Sequence, residues 1–359
     1  MTRVLLVGPD WGAGWTDSTY RALRSLNCDV RVIYYNRNST QQAVGHWRDD
    51  VARFLRIPRM ATPRRIKHLF WHYVGWKAGH LIRQEVAKHH PDLVLVLKGE
   101  MILPHTLRAL KSMNNAPRLA TWWVDNPLLY DEQVPWPISP SCVPIYDHVF
   151  MFDYAYFAPL RELGAKQITF LPCACDPELY HPVSPQVIAG SGLQSSICFI
   201  ASFYPRRGDL IASMLDIPGL ALWGPGWEKY LKDTKSQVIF RGLTLPPSSV
   251  SIAYQASSIV LNSHHPQTKM AGLNTRAFEV PGCGAFQIMD YIPQMESMLT
   301  PGKEVIVYRS PSEAASLVRD FANDHTERQR IAHNGRQRVL EEHTYYHRMK
   351  TALSTLGLL

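Results

Sequence analysis

Residues 93–97 read Leu93, Val94, Leu95, Val96 and Leu97, with His90-Pro91-Asp92 before them and Lys98-Gly99-Glu100 after. Five branched apolar residues in succession leave no polar face, so the segment predicts a strand covered on both sides. A strand buried in this way belongs in a sheet with helices on both faces.

The rest of the chain has the same pattern. Residues 3–8 form an apolar run that stops at Gly8-Pro9, and a loop carrying Gly12 and Gly14 follows. A helix over 17–26 and a strand over 30–35 complete a βαβ opening. Further strands are predicted at 119–124, 148–152 and 168–171, with helices over 104–112 and 156–163. A second alternation begins at Ile197-Cys198-Phe199-Ile200-Ala201. It continues with a helix over 208–215 and strands at 220–223, 238–240, 259–261, 286–289 and 305–307. Ser310-Pro311-Ser312-Glu313 has serine at the cap, proline first and glutamate third, and so opens a helix to about 323. Helices over 327–333, with Asn334-Gly335 as a stop, and over 336–342 and 345–354 close the chain.

A chain of 359 residues exceeds what one hydrophobic core usually serves. The expected fold class is α/β: two Rossmann-like domains facing a cleft. The first covers 1–175. A linker rich in Pro, Ser and Gly covers 176–195, the second domain covers 196–335, and helices over 336–359 pack back toward the first. Hydrophobic residues make up 46%, no apolar run reaches membrane-spanning length, and Met1-Thr2-Arg3 leads straight into the first strand. A soluble cytoplasmic protein is expected. The six cysteines lack a histidine partner set for zinc and are expected to be reduced thiols.

The net charge of +8 is concentrated. Residues 51–84 hold Arg53, Arg56, Arg59, Arg64, Arg65, Lys67, Lys77 and Arg83 and no acid, which leaves the remainder near neutral. Aromatic residues such as Phe54, Phe70, Trp71, Tyr73 and Trp76 interleave them. Such a stretch fits a solvated helix face or peripheral contact with an anionic membrane, here the inner membrane face. Nucleic acid is not expected, because no nucleic-acid-binding motif accompanies the charge.

The chemistry concentrates late in the chain. The strand Ile259-Val260-Leu261-Asn262 is followed by Gly272-Leu273-Asn274-Thr275-Arg276-Ala277-Phe278-Glu279-Val280-Pro281-Gly282-Cys283-Gly284-Ala285-Phe286. A helix start offers free N–H groups at Asn274 and Thr275 to a phosphate oxygen, with Glu279 one turn on to accept ribose hydroxyls. The alternative is a surface or salt-bridged glutamate beside an ordinary turn. The Gly12–Gly14 loop matches neither the G-x-G-x-x-G nor the G-x-x-x-x-G-K-[ST] pattern, which argues against a dinucleotide oxidoreductase and a P-loop NTPase. Asp-x-Asp is absent, so no metal is expected. His264-His265 resembles a ligand pair, but neighbours on a strand point apart.

The run from Gly272 to Phe286, with Asp290-Tyr291, Pro301-Gly302-Lys303-Glu304-Val305-Ile306-Val307-Tyr308, Gly335-Arg336-Gln337-Arg338-Val339-Leu340 and His343-Thr344-Tyr345, resembles the glycosyltransferase group 1 relatives that include the CgeB-like spore-maturation proteins. The resemblance is strongest over about 197–350. It implies a GT-B fold, with a nucleotide-diphosphate sugar, uridine-linked, held mainly by the second domain and no separate cofactor. Glu279 matches the second glutamate of the E-x7-E element of retaining enzymes. Ala271 stands where the first belongs, so that role would pass to backbone around Gly272, Leu273, Asn274 and Thr275. Arg206 and Arg207 lie in the place of the family's diphosphate-binding basic residues, Arg207 being the favoured one, against solvated loop charges for either. Trp227, in Gly224-Pro225-Gly226-Trp227, is placed to stack on the base or to fill the core.

The implied activity is metal-independent transfer of the sugar to the hydroxyl of a glycan, lipid-linked, protein or small-molecule acceptor. The leaving diphosphate needs cations or helix amides, and the acceptor needs a base. The first domain's strand ends supply Asp10, Glu100, Asp125 and Asp153, and Asp125 and Glu100 are the favoured catalytic groups. Asp125 has the alternative of an Asx turn before Pro127, and Lys98 that of a solvated charge. Gly12 and Gly14 would let backbone approach the donor. The alternatives are a nucleotide-sugar epimerase of the same architecture, or a degenerate sugar-binding or structural protein of spore or cell surface.

Overall fold

The computed structural model describes residues 1–10, 14–35, 64–128, 138–232 and 237–359. Gly12 lies outside them, as do Arg53, Arg56 and Arg59 of the basic stretch. The chain forms two compact units, Met1–Leu171 with Met349–Leu359, and Pro172–Arg348.

The first unit is built on a six-stranded parallel sheet: β1 (Arg3–Gly8), β2 (Asp29–Tyr34), β3 (Leu93–Leu97), β4 (Arg118–Trp123), β5 (His148–Met151) and β6 (Ile168–Phe170). Its order is β2-β1-β3-β4-β5-β6, with every pairing parallel. The unbroken apolar run that predicts two-sided cover is the centre of this sheet, and no residue of β3 exceeds 1% exposure. Each such side chain contributes about 1.5–3 kcal/mol by leaving water, and a charge at any of them would be buried without a partner.

The second unit repeats the plan with β7 (Ser195–Ile200), β8 (Leu220–Trp223), β9 (Ile239–Gly242), β10 (Ser257–Asn262), β11 (Gln287–Asp290) and β12 (Ile306–Tyr308). The order is β12-β11-β10-β7-β8-β9, again all parallel. In each sheet the winding reverses once, between β1 and β3 in the first and between β7 and β10 in the second. At such a point the loops leaving the two strands run in opposite directions, and a crevice opens at their carboxyl ends.

Three boundaries differ from the sequence expectation. The stretch 176–195 belongs to the second unit. Cys175 N donates to His343 O at 2.9 Å and Tyr345 N to Cys175 O at 3.1 Å, and Val183 N donates to the Gln255 side chain at 2.8 Å. These bonds hold that part of the chain against the unit, and a helix at Pro185–Gly190 uses its Ser184 cap.

The C-terminal segment divides at residue 349: residues 336–348 lie in the second unit and only Met349–Leu359 in the first. There Thr2 Oγ1 donates to Leu358 O at 2.7 Å. Finally, Asn334-Gly335 does not stop a helix, because His325–Glu342 is continuous. A Cβ at Gly335 would lie 2.5 Å from the Glu304 carbonyl oxygen, so the glycine serves close packing. The Ser310 cap forms as read: its Oγ accepts from Glu313 N at 3.1 Å, and Glu313 Oε2 accepts from Arg309 N at 2.7 Å.

Candidate functional site

At the winding reversal of the second unit, the loops after β7 and β10 are tied together by Arg207. Its Nε and Nη2 donate to Ser263 O at 3.2 and 2.8 Å, and its Nη1 donates to Ser202 O at 2.9 Å. The side chain is 6% exposed. Burial, with Arg276 nearby, pushes its pKa down to about 10. Arg207, expected to bind the diphosphate, is held to carbonyl groups through all three of its nitrogens and braces the crevice.

Arg206, on the same turn, is the exposed partner, and its Nη2 meets Asp290 Oδ2 at 3.0 Å. Asp290 Oδ1 also accepts from His264 N at 2.9 Å and lies 2.7 Å from His264 Nδ1. Nε2 of the same ring is buried and without a hydrogen-bond partner. Burial opposes ionisation of Asp290, but His264 and Arg206 outweigh it and lower the pKa.

Beside this lies the Gly-Leu-Asn-Thr segment. Asn262, fully buried at the end of β10, exchanges a reciprocal amide pair with Asn274 at 3.0 and 2.9 Å. Its Oδ1 also accepts from Arg276 Nη1 at 2.7 Å, and its carbonyl oxygen accepts from the Tyr308 hydroxyl at 3.1 Å. The helix Arg276–Gly282 starts here, its Ala277 N donating to both the backbone and side-chain oxygens of Asn274 at 3.1 Å. Arg276 and Glu279 are three residues apart on this helix and so share a face.

Burial raises the Glu279 pKa to about 7, against the opposing pull of Arg276 and of hydrogen bonds from Thr275 and Tyr180. The site therefore has a carboxyl that changes charge near neutrality, next to a guanidinium. Ala271 and Leu273 are buried at 0% exposure. Their contribution there is backbone and packing, and Gly272 lies buried between them.

Trp227 is placed in the core, against the expectation of a base-stacking face. It is 0% exposed, its Nε1 donates to Ala201 O at 2.6 Å, and Phe199, Phe203 and Tyr230 pack edge-on around it. The preceding Gly224 has φ 134°, and a Cβ there would lie 2.1 Å from the Ala201 carbonyl oxygen. The Gly-Pro-Gly-Trp segment thus packs β8 onto the end of β7.

In the first unit, the reversal between β1 and β3 carries a charged cluster. Lys98 adopts φ 63°, a left-handed conformation unusual for a side-chain-bearing residue. Its Nζ bridges Glu100 Oε1 at 2.8 Å and Asp125 Oδ2 at 3.0 Å. Tyr35 OH donates to Glu100 Oε2 at 2.9 Å, and Trp123 Nε1 donates to Lys98 O at 2.5 Å. Lys98 is thus a buried bridge and not a solvated charge. Burial disfavours its ammonium, yet the two carboxylates prevail and raise its pKa. Burial also raises the Glu100 pKa despite Lys98.

Asp125, with its side chain 40% exposed against 15% for Glu100, is the carboxylate within reach of a ligand. The Asx turn before Pro127 falls to Asn126, whose Oδ1 accepts from Leu128 N at 2.9 Å. Asp153 is fully buried and caps a turn by accepting from Ala155 N at 2.9 Å. Gly14 caps the helix Trp15–Ser25 with φ 72°. Among the described residues no three His, Cys, Asp or Glu side chains gather to hold a metal ion.

Residues missed by sequence reasoning are Asn262 as a hub, Arg276, the His264–Asp290 pair, Tyr180 and Tyr35. An asparagine ending an otherwise apolar strand, and an arginine one helical turn before a glutamate, were the available signals.

Residues 206–354 match the family model described as glycosyl transferase-like. The chain is 22% identical over 264 residues to spore protein CgeB of Bacillus subtilis, covering 69% of this chain and 77% of that protein. Among solved structures, sucrose-phosphate synthase of Thermosynechococcus elongatus superposes with a TM-score of 0.68 at 15% identity over 99% of both chains. HepE of Anabaena, solved in complex with UDP-glucose, superposes with a TM-score of 0.64 at 14% identity over all of both chains. The motif resemblance to glycosyltransferase group 1 and CgeB-like proteins holds, and the fold is GT-B.

Proposed function

We propose that this chain transfers a sugar from a uridine-diphosphate sugar to an acceptor hydroxyl without a metal. The observation that carries the reading is the placement of Arg276 and Glu279 on one helix face at the carboxyl end of β10, with Arg276 braced through Asn262. That arrangement offers a carboxylate for ribose hydroxyls and a cation for the diphosphate. Arg206 adds a second, exposed cation at the same strand ends. The occurrence of UDP-glucose in the structurally similar HepE supports a uridine donor.

In the reaction the bond between the anomeric carbon and the diphosphate oxygen breaks, and the acceptor oxygen bonds to that carbon. Charge growing on the leaving diphosphate is stabilised by Arg206 and Arg276. The acceptor proton passes to Asp125, whose carboxylate Lys98 holds, or to the departing phosphate in a same-face transfer. The resemblance to retaining enzymes supports the second route, which the anomeric configuration of the product would test.

The primary test is calorimetry of the full chain with UDP, GDP, ADP, CDP and TDP in the presence of EDTA, followed by assay of donor-sugar hydrolysis. UDP binding with release of sugar is the expected outcome. UDP binding with no bond cleavage would point to a sugar-binding protein, interconversion of the donor sugar alone to an epimerase, and no nucleotide binding by the folded chain would overturn the reading.

A further inference from the structure

At the amino end of β10 in the second sheet lies a cavity of about 660 Å³ that the transfer reaction does not use. It opens beside Ser257 and Ser258, where β10 begins, whereas the candidate donor site gathers at Asn262, where β10 ends. Those ends are about 17 Å apart along the strand.

One wall is a stripe of the helix His325–Glu342: His325, Arg328, Gln329, Ala332, His333 and Arg336. The spacing is that of a single helix face. On this stripe Arg328 and Ala332 are buried while His325, Gln329 and His333 are exposed, and it carries two arginines and two histidines. No Asp or Glu lines the cavity.

The two guanidiniums are held differently. Arg328 is 8% exposed, and its Nη1 donates to the carbonyl oxygens of Phe321 and Ala322, which fixes it in the wall. Arg336 has its Nε buried with no hydrogen-bond partner, a costly state for a charged donor. Gly284 faces it without a side chain, and a Cβ there would come within 3.6 Å of Arg336 Cδ. A paired cation would have a carboxylate here. This cavity offers volume instead, within the range of small-molecule sites.

We propose that this cavity binds a phosphomonoester, a dianion matched by the two guanidiniums, with the terminal nitrogens of Arg336 donating to phosphate oxygens and the Ser257 and Ser258 end of the cavity receiving the organic part. Planar guanidinium forks suit phosphate oxygens. The site is separate from the donor site, so it serves as a second, effector-type site on the same unit.

The test is calorimetric titration of the full chain with inorganic phosphate and with ribose 5-phosphate, each with UDP present. Saturable binding by the wild type is expected. It should weaken at least tenfold in Arg336→Gln, and likewise in Gln329→Glu, where an exposed residue gains a carboxylate beside the basic face without disturbing the core. Both variants should keep the UDP response of the wild type, which separates this site from the donor site and reports folding. Absence of saturable binding, equal binding by Arg336→Gln, or displacement of the probes by UDP would overturn the proposal.

Discussion

Glu279 makes the structure testable through pH. Its carboxyl pKa is raised from an ordinary 4.5 to about 7, chiefly by burial. Between those values the folded protein holds a proton that the unfolded chain has released. Stability is therefore greatest at the acid end of the interval and declines as pH rises through 7, after which the loss is complete. The shift corresponds to at most about 3 kcal/mol.

Glu279→Gln keeps the shape and cannot ionise. Denaturant unfolding from pH 5 to 8.5 should give a falling stability for the wild type and a flatter profile for the variant, the two diverging by about 3 kcal/mol at the alkaline end. Nucleotide binding should run the other way, because a ribose hydroxyl donates to the ionised form. About a tenth of the carboxyl is ionised at pH 6 and about nine tenths at pH 8, so UDP affinity should rise about tenfold across that interval in the wild type only. Parallel pH profiles for wild type and Glu279→Gln, in either measurement, would refute the reasoning.

Other outcomes follow from the same geometry. Arg206→Gln, at an exposed position, should weaken UDP binding by about 1.5–3 kcal/mol, a charged hydrogen bond's worth, in calorimetry on a normally stable protein. Arg207→Gln should instead lower the melting temperature, since it frees buried carbonyl groups on two loops; unchanged stability with lost binding would restore Arg207 as a direct ligand. Trp227→Ala should cost about 3–5 kcal/mol in denaturant unfolding, as an aromatic core deletion does. Asp125→Asn should reduce transfer while leaving UDP affinity within experimental error, and a parallel loss of both would remove it from the acceptor side.

Most of the architecture is legible in the sequence because parallel strands buried on both faces are written as short apolar runs, and β3 is the plainest of them. Glu279 is legible too, through its motif. What could not be read depends on contacts between segments distant in sequence. Arg206 and Arg207 are adjacent and chemically identical; only the course of the loop after β10 decides that Ser263 captures the second. Asn262 and Asn274 are twelve residues apart and meet across a turn whose shape no local pattern specifies. Gly335 has the sequence appearance of a helix stop, yet the constraint on it is the carbonyl of Glu304 from another segment. Trp227 follows two glycines, a context that reads as an exposed loop until the aromatic residues enclosing it are brought together.

The bracing role of Arg207 has an electrostatic consequence. Its charge is permanent, shielded from ions in solution, and bonded to neutral carbonyl groups, with Asp290 the nearby carboxylate already engaged by His264 and Arg206. A guanidinium in that position acts on an anion through space, as a standing potential at the mouth of the crevice. Mobile salt screens the exposed Arg206 readily and Arg207 poorly. Attraction for a diphosphate at these strand ends therefore has two parts, one that fades with ionic strength and one that persists, and the persistent part belongs to a buried residue bonded to carbonyl groups.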